Sequence, residues 1–109
     1  HCKKIAAIAE AYHAAVVTHN FLGPVLTAAS VHLDVSIPNF VVQEYSLLDE
    51  GPASAAFPGA LRRSGGYLPV PEAPGLGVEL DESQELSLQV NEDFRSLALR
   101  ADGSVALAI

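Results

Sequence analysis

Two short apolar segments, residues 16–19 and 40–44, each follow a stretch with helical spacing and each end on a titratable side chain. Valine is prominent in both, and β-branched residues favour strands. Strands this apolar are typical of parallel sheets that are covered on both faces. The chain is therefore predicted to alternate helix, strand, helix and strand, with His19 and Glu44 at the two strand ends.

The helices flanking these strands have clear local signals. Residues 3–14 carry a stripe of apolar side chains at helical spacing, which predicts an amphipathic helix packed against another layer: Ile5, Ile8, Ala9 and Tyr12. A second, largely apolar helix is predicted over residues 24–36, because Pro24 suits the first turn and Pro38 prevents continuation. The strand ends lie 25 positions apart. This spacing is close to one unit of a βα barrel, in which about 250 residues make eight repeats.

The remainder of the chain has a different character. Glycine and proline crowd residues 51–77, which predicts loops and turns, with a short strand at residues 67–70. The block "GLGVELDE", residues 75–82, is predicted to end in a turn or helix start. Two further strands are predicted at residues 96–100 and 105–109, joined by a tight Asp102-Gly103 turn.

Composition limits the classes of function. The chain has 109 residues, is 50% hydrophobic and carries a net charge of −7. That charge argues against nucleic acid or an anionic membrane as a partner. Cys2 is the only cysteine, and no apolar run approaches the ~20 residues that span a bilayer. A cytoplasmic protein is expected. The first helix starts without methionine or a capping residue, which favours a piece of a longer protein.

His19 and Glu44 are the main candidates for function. In parallel barrels and doubly wound sheets the site forms where strands end, and both residues fall there on successive strands. An imidazole exchanges a proton near neutral pH, and a carboxyl group hydrogen-bonds polar substrate groups. The alternative is a histidine–glutamate hydrogen bond with a purely structural role. Asn20, next to His19, is a weaker candidate for binding substrate.

Other polar residues favour structural interpretations. His13 completes a single Glu-x-x-His spacing, which is weak as a metal site without a second copy. His32 is expected to be packed or exposed, and Asp34 to be solvated. Arg62 and Arg63 are expected to anchor a loop or form a salt bridge, and less readily to bind an anion.

Four blocks of sequence resemble one known family. In order they are "KKIAAIAEAY", "VVTHNFLGPVLTAASVHLDVSIPNFVVQEY", "GGYLPVPEAPGLGVELDE" and "LRADGSVALAI". They resemble the C-terminal part of sugar-acid dehydratases of the enolase superfamily, in the mandelate racemase subgroup, with galactonate dehydratase-like members closest. The resemblance implies an α/β fold, the last two units of a modified TIM-type barrel in residues 1–46. Residues 47–109 would form a segment that returns to an N-terminal capping domain absent from this chain.

The resemblance also implies roles for the candidate residues. His19 would be the general acid/base that protonates the leaving hydroxyl, and Glu44 would hydrogen-bond the carboxylate side of an enediolate. A Mg²⁺ ion would be held by carboxylates on earlier strands, and an aspartate outside this chain would orient His19. The expected substrate is a small sugar acid, and the whole protein is expected to be a homo-oligomer. Racemases, cycloisomerases and a non-catalytic truncated barrel remain the alternatives.

Overall fold

The computed structural model describes residues 1–84. They form a mixed α/β structure, and the predicted order of helix, strand, helix and strand is confirmed. The elements are α1 (Cys2–Ala11), β1 (Val16–Thr18), α2 (Pro24–Asp34), β2 (Phe40–Gln43) and two 3-10 helices, Leu47–Glu50 and Pro52–Ala56. Neither α-helix within residues 1–84 combines the length and apolar character that crossing a bilayer requires. The predicted strands at residues 96–100 and 105–109, with their Asp102-Gly103 turn, lie outside the described residues.

Helix α1 ends three residues earlier than predicted because the chain turns left-handed at His13, where φ is 56°. The Ala14 N–H donates to the Ala9 carbonyl at 2.9 Å, and the His13 N–H donates to the Glu10 carbonyl at 2.8 Å. This pair of bonds is a Schellman motif, which satisfies carbonyls that the last helical turn leaves free. The motif redirects the chain into β1.

The predicted apolar stripe of α1 does not pack within residues 1–84. Ile5, Ile8 and Tyr12 are exposed, and Ala6 is the residue that α1 buries. Asn39, in the connection between α2 and β2, donates its side-chain amide to the carbonyls of Ala6 and Ala14 at 3.1 and 3.0 Å. The helix is thus held by its Ala6 side, and the stripe faces away from that contact.

Strands β1 and β2 pair in parallel, as predicted, with Thr18 opposite Gln43. Each strand is one residue shorter than predicted, so His19 and Glu44 follow the strand ends directly. Within residues 1–84 the strands are not covered on both faces, since Val17, Val41 and Val42 are exposed. A two-stranded sheet with one neighbouring helix leaves a face and two edges open.

Helix α2 begins at Pro24 as predicted and ends at Asp34, two residues early. Gly23 precedes it with φ at 99°, a conformation that glycine adopts without strain. The Thr27 N–H donates to the Gly23 carbonyl at 3.1 Å, which closes the first turn. The expectation that Asp34 is solvated is wrong: the residue is 3% exposed, because the last turn of α2 faces β1, where Thr18 contacts the carboxyl group.

The core lies between α2 and the Pro/Gly-rich segment. Ala28, Val31 and Leu61 form a buried cluster, against which Leu68 and Val78 pack. The predicted strand at residues 67–70 is absent; an isolated bridge joins Ser64 to Tyr67 around a two-residue turn. Pro69 and Pro71 lack the N–H groups that a longer ladder requires. The turn predicted at the end of residues 75–82 is present, since Asp81 accepts hydrogen bonds from the Ser83 N–H and hydroxyl.

Gly77 and Gly75 offer a matched test of this packing. Both have φ at 71°, but a Cβ at Gly77 would lie 2.9 Å from the Pro71 Cβ, whereas nothing lies within 4 Å at Gly75. We expect Gly75→Ala to lower the free energy of unfolding by about 1 kcal/mol through backbone strain alone. Gly77→Ala should cost about 2–4 kcal/mol, because overpacking is added. Urea denaturation midpoints measure both, and equal midpoints for the two variants would contradict the packing of Pro71 on Gly77.

Candidate functional site

His19 and Glu44 meet at the carboxyl edge of the sheet. Because β1 and β2 are parallel and Thr18 pairs with Gln43, the next residue of each strand emerges at the same edge. The His19 Nδ1 lies 2.8 Å from the Glu44 Oε2. The structure therefore brings together the two residues that the sequence placed on successive strand ends.

Glu44 is fixed by several hydrogen bonds. Its Oε2 accepts the Asn20 backbone N–H at 2.7 Å as well as the His19 contact. Its backbone carbonyl accepts the side-chain amides of Asn20 at 3.1 Å and Gln43 at 2.6 Å. The Asn20 N–H, followed by His19, lowers the pKa of the Glu44 carboxyl. Glu44 is therefore an ionised carboxylate at neutral pH. The 45% exposure of its side chain also favours the charged form.

The charge of Glu44 decides which nitrogen of His19 carries a proton. An ionised carboxylate only accepts hydrogen bonds, so the Nδ1 of His19 must be the donor. In the neutral imidazole this leaves Nε2 unprotonated and able to accept a proton. The His19 side chain is 83% exposed, so its Nε2 side is open to a second molecule. The unprotonated Nε2 is thus chemically able to accept a proton from a molecule that reaches this edge of the sheet.

Asn20 is placed beneath this pair and is only 1% exposed. Its side-chain amide donates to the Thr27 hydroxyl at 2.6 Å and to the Glu44 carbonyl. The Thr27 hydroxyl in turn donates to the buried Asp49 carboxyl. Both amide hydrogens of Asn20 are thus used inside the protein, and its Oδ1 is buried without a partner in residues 1–84. The predicted contact between Asn20 and substrate stays a prediction.

The first 3-10 helix is anchored by the two arginines, as the sequence predicted. Arg62 donates to the Asp49 carbonyl at 2.7 Å and to the Ser54 hydroxyl at 3.1 Å. Arg63 pairs with Glu50 at 2.7 Å, and its guanidinium lies 5.8 Å from the centre of the Tyr45 ring. The Arg63 contact lowers the pKa of the Glu50 carboxyl. These contacts place Asp49 under Thr27.

The acidic and imidazole side chains of the described residues do not converge on a common metal-binding point. Within residues 1–84, no group of three or more His, Cys, Asp or Glu side chains is arranged to hold a metal ion. His13 is exposed in the turn after α1. This position is consistent with a structural role for the residue. The described residues therefore do not themselves fit a Mg²⁺ ion.

A cavity of about 630 Å³ lies between α2, β2 and the Pro/Gly-rich segment. Its walls are mainly apolar, with Asp34, Gln43 and Arg63 among the polar lining residues. Neither His19 nor Glu44 lines it. Chemistry and geometry thus single out the open strand edge, and not this cavity, as the candidate site.

Four residues that support the site were not identified from sequence: Thr18, Thr27, Asp34 and Asp49. Their contacts join residues that are 7 to 25 positions apart, and no spacing rule links them. The polarity of Thr18 within an otherwise apolar strand, and of Thr27 within an apolar helix, was the available signal. Buried polar side chains are usually hydrogen-bonded, so such interruptions point to an internal partner.

The family follows from a comparison of the whole described region. Residues 1–84 match the family described as enolase C-terminal domain-like. The chain belongs to the enolase superfamily. This finding confirms the resemblance found in the sequence, and it agrees with a site built at the carboxyl ends of parallel strands.

Several enolase-superfamily relatives are similar over most of the chain. A D-galactonate dehydratase from Ralstonia pickettii (strain 12J) is 42% identical over 117 aligned positions, covering 96% of this chain and 30% of that protein. A D-mannonate dehydratase from Sphingomonas sp. (strain SKA58) is 34% identical, covering 96% of this chain and 26% of that protein. An enolase of the mandelate racemase subgroup from Agrobacterium tumefaciens superposes with a TM-score of 0.64 at 39% identity, covering 71% of this chain and 21% of its own. The chain thus spans less than a third of the length of these relatives.

The hydrogen bonds at Glu44 predict how its carboxyl titrates. We expect the Glu44 pKa to lie below the ordinary glutamate value and to rise only partway in His19→Ala, because the Asn20 N–H is the larger cause. The ionised form stabilises the folded state above the unfolded-state pKa, and this stabilisation is lost as pH falls through the lowered pKa. Carboxyl ¹³C NMR titration measures the value. His13→Asn, which changes a remote exposed histidine, is the control and should leave the Glu44 pKa unchanged; a full return to the ordinary value in His19→Ala would contradict the order of causes.

The Thr27 hydroxyl is predicted to matter for stability. Thr27→Val keeps the shape of the side chain but leaves the Asn20 amide and the Asp49 carboxyl, both buried, without this partner. We expect a loss of about 1–3 kcal/mol in the free energy of unfolding. Thr27→Ser keeps the hydroxyl and should retain most of the stability. Thermal and urea denaturation test this, and a Thr27→Val protein as stable as the wild type would show that the hydrogen bonds contribute nothing.

Proposed function

We propose that this chain is the C-terminal part of a Mg²⁺-dependent sugar-acid dehydratase. The observation that carries the proposal is the 2.8 Å contact between His19 and Glu44 at the carboxyl edge of two adjacent parallel strands. The relatives from Ralstonia and Sphingomonas are dehydratases, of D-galactonate and D-mannonate respectively. An exposed histidine with an oriented ring suits the protonation of a leaving hydroxyl.

The proposed chemistry uses the Nε2 of His19, the ring nitrogen that does not contact Glu44. A base outside the described residues removes the proton α to the substrate carboxylate, which leaves an enediolate. His19 in its imidazolium form then delivers the Nε2 proton to the β-hydroxyl oxygen, the C–O bond breaks, and water leaves as the C=C bond forms. Glu44 holds the Nδ1–H throughout and stabilises the imidazolium by its charge.

Glu44 has a second proposed contact in this reaction. Its Oε1 makes none of the hydrogen bonds that position the residue, which all use Oε2 or the backbone carbonyl. This oxygen is therefore the one that would face the carboxylate side of the substrate, through a shared proton or a bridging hydroxyl. Asn20 would support this contact by holding Oε2, and we retain it as a weaker substrate-binding candidate.

The proposal for Mg²⁺ concerns the whole protein. Enolase-superfamily members typically use this ion, whereas the described residues of this chain do not assemble ligands for it. Its ligands, and the aspartate expected to orient His19, are proposed to lie on strands that precede this chain. The steps assigned to His19 and Glu44 use only the protons and hydrogen bonds of these two residues.

The same proposal accounts for the exposed apolar surface. Val17, Val41 and Val42 on the sheet, and Ile5 and Ile8 on α1, are exposed. We propose that residues 1–46 are the last units of an enolase-type barrel, whose earlier strands and helices cover these faces. Residues 47–109 would return towards a capping domain. The whole protein is proposed to be a cytoplasmic homo-oligomer, and the 109-residue segment alone is expected to be inactive.

A second candidate function is favoured by the same exposed surface. A truncated barrel that persists only by binding a partner would also leave apolar strand and helix faces open. The two proposals differ in the sequence that precedes His1 in the gene. Aspartate and glutamate residues at the ends of upstream strands favour the dehydratase, and their absence favours the non-catalytic piece. Racemisation or cycloisomerisation would use the same His19 with a different substrate.

His19→Asn in the full-length protein is the direct test of the dehydratase. Asparagine keeps a polar group near Glu44 but cannot transfer a proton, so dehydration of D-galactonate and D-mannonate should fall by about 10²–10⁴-fold. Substrate turnover is measured with Mg²⁺ supplied, and Mg²⁺ affinity is measured separately by calorimetry and should not change. His13→Asn is the matched control and should retain full activity. Loss of Mg²⁺ binding together with activity would instead assign His19 a structural role.

A further inference from the structure

A second row of hydrogen bonds lies directly behind His19 and Glu44. Successive residues of a strand point to opposite faces, so Thr18 and Gln43 project away from the face used by His19 and Glu44. Thr18 and Gln43 are paired residues of β1 and β2, and the Thr18 hydroxyl lies 2.9 Å from the Gln43 Oε1. On the other side the same hydroxyl lies 3.2 Å from both carboxyl oxygens of Asp34 at the end of α2. The row therefore links α2, β1 and β2.

The orientation of Gln43 fixes the direction of these hydrogen bonds. Its side-chain nitrogen donates to the Glu44 backbone carbonyl at 2.6 Å, so its oxygen must face Thr18 and accept a hydrogen there. A hydroxyl group has a single hydrogen. Once Thr18 donates it to Gln43, the contact between Thr18 and Asp34 contains a hydrogen only if Asp34 supplies one.

The surroundings of Asp34 agree with a protonated carboxyl group. The residue is 3% exposed, and burial raises the pKa of its carboxyl, against a smaller opposing effect of Thr18. Two other titratable groups, Tyr45 and Arg63, line the same cavity. Arg63 is paired with Glu50, so its charge is engaged outside the Asp34 contact. His32, the neighbouring histidine of α2, has its Nε2 buried without a partner in residues 1–84.

We propose that Asp34 is a protonated positioning residue that, through Thr18 and Gln43, fixes the backbone of Glu44 and thereby the geometry of the Glu44–His19 pair. The direction of donation runs from the Asp34 carboxyl to the Thr18 hydroxyl, to the Gln43 oxygen, and from the Gln43 nitrogen to the Glu44 carbonyl. None of these three residues touches the substrate in this proposal. The kinetic consequence rests on the proposed dehydratase function, whereas the positioning itself does not.

Thr18 provides the first matched pair of variants, made in the full-length protein. Thr18→Val removes the hydroxyl at nearly constant volume, and Thr18→Ser keeps it. We expect Thr18→Val to lower kcat about tenfold, because a displaced acid/base pair loses transition-state geometry, with KM within about twofold of the wild type. Thr18→Ser should stay within about twofold for both constants. A purely structural role would lower the melting temperature without this split between kcat and KM.

Asp34 provides the second pair. Asp34→Asn keeps a neutral side chain with hydrogen-bond donors and should behave like the wild type. Asp34→Leu removes the donor while keeping the branched shape of the side chain, and it should reproduce the effect of Thr18→Val. An Asp34→Leu protein with wild-type kcat would overturn the role of Asp34, and an inactive Asp34→Asn protein would show that an ionised carboxylate is needed.

Hydrogen exchange gives a readout that does not depend on activity. The backbone N–H of Asn20 donates to the Glu44 carboxylate, so the exchange rate of this N–H reports the position of Glu44. We expect exchange at Asn20 to be about tenfold faster in Thr18→Val and Asp34→Leu, and unchanged in Thr18→Ser and Asp34→Asn. If the wild type fails to dehydrate sugar acids but these exchange rates change as expected, the proposed function fails and the positioning role stands. If dehydration is observed and the exchange rates do not change, the positioning role fails.

Discussion

The parallel pairing of β1 with β2 is the constraint on which the rest of the structure depends. Only a parallel pair brings the carboxyl ends of two successive strands to one edge, and the opposition of Thr18 and Gln43 then sets His19 beside Glu44. A slip of either strand by one residue would turn that strand's side chains to the opposite face and separate His19 from Glu44. The same register places polar residues on both faces of the strand ends, with the His19–Glu44 pair on one face and Thr18 and Gln43 on the other.

Glu44 is the residue at which these contacts converge. Its carboxylate holds His19 and the Asn20 N–H, and its backbone carbonyl accepts amides from Asn20 and Gln43. Through Asn20 it is connected to the buried Thr27 and Asp49, which are anchored in turn by the loop arginines. An exposed carboxylate is normally mobile. The hydrogen bonds to its Oε2 and to its backbone carbonyl hold this one in place. The low pKa of Glu44 follows from the same contacts, since they favour its charged form.

The described part of the chain combines an ordered polar edge with apolar surface that remains open. The core between α2 and the Pro/Gly-rich segment is small, and several valines and isoleucines of α1 and the sheet are exposed. Strands of this composition are normally covered on both faces. This contrast is what an enolase-superfamily chain spanning less than a third of its relatives would show, and it underlies the proposal that further barrel elements complete the structure.

Local chemistry accounts for the elements that were predicted correctly. Valine-rich segments, Pro24 at a helix start and the spacing of His19 and Glu44 are properties of neighbouring residues, and they sufficed to predict the helix–strand order and the candidate pair. The prediction that the α1 stripe packs was wrong in residues 1–84, because amphipathic spacing does not specify which elements are available to cover a face. Asp34 was wrongly expected to be solvated, since its burial comes from a contact with Thr18, sixteen residues earlier. The hydrogen bonds that hold Glu44 likewise join residues that are distant in sequence, and only the folded arrangement of α2, β1 and β2 brings them within reach.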